Sequence, residues 1–139
     1  MSAVKLTSSI AVMFMVIALA AGGHAQKLEE VKQVFKHAIP NIPGKSLAAF
    51  VVTYPPGGKS LPHLHAGSAF IYAYVLSGAI RSQVNDEPAK VYRVGEGFYE
   101  LPGSHHKVSE NASDREPASL LAVFIVDSQD NPLTIPDRK

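Results

Sequence analysis

The chain has no cysteine among its 139 residues. Disulfide staples are therefore excluded, and stability has to come from a packed core. About a hundred residues supply such a core if most elements bury a face. An excess of charge of one sign is missing too. The formal net charge is +1 with histidines neutral, and no basic run is longer than a pair. That balance argues against nucleic acid or an anionic membrane surface as a partner. Low-complexity tracts, internal repeats and sustained helical periodicity are all absent, so neither a repeat array nor a helical bundle is expected. A hydrophobic run long enough to span a bilayer is also lacking. The longest, Ile10–Ala21 (IAVMFMVIALAA), would cover only ~18 Å as a helix, against ~30 Å of hydrocarbon.

That short apolar run reads instead as the core of a secretory signal. Lys5 supplies a positive start, and Gly23-His24-Ala25 offers small residues where a signal peptidase cuts. The chain is thus expected to divide into a signal peptide (1–25), an N-terminal extension (26–46), a β-barrel (47–126) and a C-terminal tail (127–139). The mature protein would begin near Gln26 and be exported, to periplasm or outside the cell, without a stable membrane anchor.

Past the leader, Lys27–Lys36 is ambiguous. Leu28, Val31 and Phe35 have helical spacing, yet Pro40 and Pro43 force an extended exit, so either a helical turn or an entry strand fits. Leu47–Tyr54 is an apolar strand stopped by Pro55-Pro56-Gly57-Gly58. Phe70–Leu76, Ala79–Val84, Ala89–Val94, Phe98–Leu101 and Leu120–Val126 follow as short strands. Turn signals separate them, among them Gly78, Asn85-Asp86, Gly95-Glu96-Gly97, Pro102-Gly103 and the polar stretch Asn111–Pro117. Many short strands with regular breaks predict an all-β sandwich or barrel.

The stretch Tyr54–Gly78 carries the chemistry. His63 and His65 stand two apart after a Pro/Gly turn, and on an extended chain such residues project to one face. Both imidazoles can reach one metal ion. A second pair, His105-His106, follows Pro102-Gly103. Histidines from two strands can present three nitrogens to one ion and leave positions open for water or substrate. Glu100, just before the second pair, is a candidate oxygen ligand or proton acceptor, and equally a solvated edge residue. Tyr72, Tyr74, Phe98 and Tyr99 are candidates for lining a pocket or for plain core packing, and His37, in no motif, reads as a surface residue. Asn111-Ala112-Ser113 matches a glycosylation acceptor, though turn formation suits Asn111 better.

Gly57, His63-Leu64-His65 and Tyr74-Val75-Leu76-Ser77-Gly78 together resemble the first motif of the cupin superfamily. Gly95-Glu96-Gly97, Pro102-Gly103, His106 and Asn111 resemble the second. The resemblance covers roughly residues 47–126. It implies a double-stranded β-helix of jelly-roll type with a divalent metal in the barrel mouth, held by His63, His65 and a second-motif histidine. His106 fits that position, three residues after Gly103, with His105 as the alternative. Two departures stand out. No acidic residue lies between Ala66 and Ser77, where the family usually carries a Glu ligand; Ala69, Phe70 and Ile71 occupy the candidate positions. Leu101 stands where the family more often has Pro.

Three functions stay open. The favoured one is an exported barrel that binds a divalent transition metal (Zn, Fe, Mn, Ni or Cu) and a small molecule. The others are a metal-dependent oxygenase, isomerase or lyase, and a metal-free interaction domain. The resemblance also implies a homodimer formed through an edge strand.

Overall fold

The computed structural model describes residues 28–138. The signal-peptide segment lies outside the described residues. Ten strands make up the architecture: β1 (Glu30–Ala38), β2 (Lys45–Tyr54), β3 (His63–His65), β4 (Phe70–Ser77), β5 (Ala79–Val84), β6 (Lys90–Arg93), β7 (Gly97–Glu100), β8 (His105–Asn111), β9 (Ala118–Asp127) and β10 (Thr134–Pro136). No helix occurs among the described residues. The strands form two five-stranded sheets, ordered β1-β2-β9-β4-β7 and β10-β3-β8-β5-β6. Every pairing is antiparallel. From β2 to β5, and again from β6 to β10, each successive strand crosses to the other sheet, which makes the structure a double-stranded β-helix.

Alternation of side chains sets which face is inside. In β9 the residues Ala118, Leu120, Ala122, Phe124 and Val126 are buried, with half-buried neighbours between them. In β4, Ile71, Ala73 and Val75 point in. Phe50 of β2 meets Phe124 of β9 edge to face, with ring centroids 5.2 Å apart, the arrangement aromatic quadrupoles favour. The turn from β4 to β5 depends on Gly78, whose φ of 67° lies in the left-handed region. A Cβ there would sit 2.7 Å from the Pro117 carbonyl oxygen and 2.8 Å from the Ala118 Cβ.

Several expectations are revised. The described part of the ambiguous Lys27–Lys36 stretch takes the strand alternative and not the helical turn: β1 pairs along β2, with a register shift between Gln33 and Phe35. The tail after Asp127 is not wholly irregular, since β10 hydrogen-bonds to β3. Tyr72, Tyr74 and Tyr99 lie on the exposed outer face of their sheet, and only Phe98 of the four aromatics faces inward. Asn111 belongs to the end of β8 and is buried. Its amide donates to the Pro55 and Glu116 carbonyls while its oxygen accepts from the Ser113 amide. The side chain is thereby committed to the turn. His37 is exposed, as its lack of a motif suggested.

Candidate metal centre

Strand register assembles the cluster. β3 lies between β10 and β8, and His63 stands directly opposite His106 while Leu64 stands opposite His105. Directly paired residues share a face. His63, His65 and His106 therefore point into the barrel, and Leu64 and His105 point out. Of the second pair, His106 is therefore the one on the inner face. His105 instead contacts Asp137 at 2.9 Å on the outside. The three inward imidazoles bring one potential ligand atom each within 4.8 Å of one another.

Glu100 completes the group from the opposite sheet. It lies on β7, only 3% exposed, two residues after the inward-facing Phe98. It is not a solvated edge residue. Its Oε2 lies 3.3 Å from His65 Nε2 and its Oε1 3.3 Å from His106 Nδ1. Oε1 has no hydrogen-bond partner despite being fully buried. In the β4–β7 register Glu100 faces Ile71, one of the positions where the first motif lacks its carboxylate. The sequence offered Glu100 as a candidate ligand from its place before the second pair; the alternation from Phe98 is the signal that puts it on the inner face.

The proton positions follow from the partners. His63 Nδ1 is 2.7 Å from the Leu61 carbonyl, and His65 Nδ1 is 3.1 Å from the Leu133 carbonyl and from Thr134 Oγ1. A carbonyl only accepts, so each Nδ1 carries a proton and Nε2 is the nitrogen each ring turns to the site. The two Nε2 atoms face each other at 3.2 Å. His106 Nε2 meets Ser82 Oγ at 2.9 Å, which leaves Nδ1 toward Glu100. Neither Ser82, the carbonyls of Leu61 and Leu133, nor Thr134 could be picked out beforehand, because each matters only through tertiary placement.

Electrostatics favour the ligand forms. Burial pushes His63 below the ordinary histidine value, with the Leu61 hydrogen bond opposing. Burial takes His106 down to about 4, opposed by the Glu100 charge. For Glu100, burial alone would raise the carboxyl. The His65 contact and the positive charge available on the surrounding histidines outweigh it and hold the group below 4.5. Two imidazole Nε2 atoms, one Nδ1 and a carboxylate thus converge, a donor set that fits a transition metal.

The cluster opens onto a cavity of about 140 Å³ between the two sheets. At one side of it Tyr54 OH is held by Ser60 Oγ at 2.9 Å and Ser109 Oγ at 2.7 Å. Burial raises the Tyr54 phenol above its ordinary value, so it stays protonated.

A family model described as a cupin domain matches residues 50–124. Among solved structures, a recombinant oxalate oxidase in complex with glycolate is 21% identical, with a TM-score of 0.59 over 78% of this chain and 54% of that one. The cupin domain of Schizosaccharomyces pombe Cnp3 is 21% identical, with a TM-score of 0.58 over 74% and 64%. An uncharacterized double-stranded β-helix protein from Klebsiella pneumoniae is 15% identical, with a TM-score of 0.60 over 94% and 100%. The chain spans less than two thirds of the length of the first two, and the likeness at these identities is one of fold. No curated protein matches the chain.

Proposed function

The chain belongs to the cupin family, and we propose that it is a metal-dependent small-molecule binder whose ion is held by His63, His65 and His106 with Glu100 as the fourth group. One observation carries this reading. Three imidazoles bring a nitrogen each within 4.8 Å of one another beside a buried carboxylate oxygen without a hydrogen-bond partner, and one cation among them would engage all four groups. Neutral imidazoles plus one carboxylate suit Zn, Fe, Mn, Ni or Cu better than Mg or Ca, which prefer oxygen throughout. Glu100 then supplies from β7 the charge missing from β4. The Leu61, Leu133, Thr134 and Ser82 contacts orient the rings, as outer partners of metal-bound histidines do.

Metal analysis of protein purified without an affinity tag or chelator tests the reading. About one transition-metal ion per chain is expected, and none after His63 and His65 are both replaced by Ala. Negligible metal in both would leave the interaction-domain reading in its place.

A catalytic role is the second reading, favoured by the cavity beside the cluster. A bound metal with open positions would polarise a substrate oxygen. Glu100 is then placed to accept a proton, and the apolar walls to keep water out. We further propose export, resting on the Lys5 and Ile10–Ala21 pattern. Fractionation with N-terminal sequencing tests it; an intact Met1 on cytoplasmic protein would overturn it. Homodimerisation through β1 is proposed because all nine of its residues are exposed, among them Val31, Val34 and Phe35, an edge that invites a partner.

A further inference from the structure

The cavity walls specify what the barrel admits more narrowly than the histidines do. Phe50, Val52, Ile71, Phe98, Leu120 and Phe124 line it, and all six come from the sheet that contains β2, β4, β7 and β9. One wall is thus largely hydrocarbon, while the histidines and Ser109 lie on the facing sheet. Among the described residues no lysine or arginine lines the cavity, whereas two carboxylates, Glu29 and Glu100, do.

This distribution discriminates between ligand classes. A ligand oxygen can reach an ion held by the histidines. A second charged group too far away to share that ion would meet hydrocarbon or the neutral hydroxyls of Tyr54, Ser60 and Ser109, with no cationic side chain to pair with, which is unfavourable. An apolar body meets no such penalty. The volume of about 140 Å³ is close to the roughly 150 Å³ of an apolar cavity that admits benzene. We propose that the site takes an uncharged molecule of about phenol size, with one hydroxyl or carbonyl oxygen turned to the histidines, and rejects dicarboxylates too extended to chelate one ion. The proposal rests on the small-molecule reading above and names its ligand class.

The test uses the chain as purified, in chelator-treated and in Zn²⁺-supplemented form, with isotope-labelled methyl groups of Ile71 and Leu120 as reporters. Phenol and fumarate are the probes. Phenol is expected to shift the cavity methyls to saturation in both forms. In the Zn²⁺ form it should bind at least about tenfold more tightly than fumarate. Ala122→Leu, which adds three carbons on the inner face of β9, should weaken phenol at least about tenfold without changing zinc uptake; Val52→Phe serves if that variant does not fold. Fumarate binding as tightly as phenol, or phenol shifts confined to outer-face methyls such as Leu76, would overturn the proposal. So would phenol binding that neither filling substitution weakens. Phenol binding that persists while zinc uptake fails would sink the metal reading and support this one.

Discussion

Acid should destabilise the metal-free chain through His106, by an amount the structure fixes. The imidazole is 5% exposed, and burial holds its pKa at about 4 against an ordinary 6.5. As pH falls through 6.5 the unfolded chain takes up a proton at this residue and the folded chain does not. The contribution to stability is therefore complete above 6.5, is lost progressively down to about 4, and is level below. At 1.36 kcal/mol per pH unit the loss is about 3 kcal/mol. That is a large share of the ~5–15 kcal/mol typical of a domain. His63 moves in the same direction and steepens the slope. Glu100, held below 4.5, adds its loss only in more acid solution. Urea unfolding of chelator-treated protein at intervals from pH 7 to pH 4 measures the effect. His106→Gln keeps an amide within reach of Ser82 and cannot titrate. It should lower stability at pH 7 yet flatten the slope between pH 6.5 and 4 by about 1 kcal/mol per unit. An unchanged slope in that variant would refute the assignment to His106.

Glu100→Gln keeps the shape of the side chain and removes its charge. Metal affinity measured by calorimetry at pH 7.5 should fall by about tenfold or more, and unchanged affinity would leave the carboxylate without a role at the ion. Gly78→Ala forces a Cβ against Pro117 and Ala118 at a left-handed φ, so denaturant unfolding should show a loss of about 2–4 kcal/mol; a change under 0.5 kcal/mol would contradict the turn geometry. Phe35→Glu places a charge on β1, where sedimentation should show a dimer converted to monomer; a wild type that is monomeric at all concentrations would remove the edge-strand proposal.

Most of the barrel was legible because its strands obey one rule. Inner and outer residues alternate and glycine or proline marks many of the breaks, so β4 and β9 are found as strands. Both are apolar on either face, however, so the sequence left Tyr72 and Tyr74 as pocket candidates while Ile71, Ala73 and Val75 are the residues inside. β1 breaks that rule. Val31 stands opposite Val52 and faces the cavity, whereas Phe35 stands opposite Ala49 on the outer face, because the register slips between Gln33 and Phe35. Residues four apart on a regular strand would share a face. The slip separates them and leaves a spacing that imitates a helix. β10 was hidden for another reason. A three-residue strand that ends in Pro136 and follows closely on Pro132 has no strand signal of its own, and it is extended because β3 offers an unpaired edge. Yet this segment supplies two of the groups that orient His65.

The missing acid of the first motif shows why a ligand set is better read across strands than along them. A motif records distances along one strand, so the lack of a carboxylate between Ala66 and Ser77 looks like the loss of a ligand. The barrel instead measures distance across strands, where directly paired Cβ atoms lie about 4.5–5.5 Å apart. Glu100 is paired with Ile71, so a carboxylate displaced from β4 to β7 moves by one strand spacing, a distance its own side chain covers. The exchange also keeps the charge balance. A buried Glu on β4 together with Glu100 would put two carboxylates against three neutral imidazoles, and like charges so close cannot both ionise cheaply. With Ile71 apolar, one carboxylate remains, its Oε1 unpartnered and facing the histidines. The absence on β4 and the burial on β7 are therefore one arrangement, and the apolar Ile71 becomes part of the wall that selects the ligand.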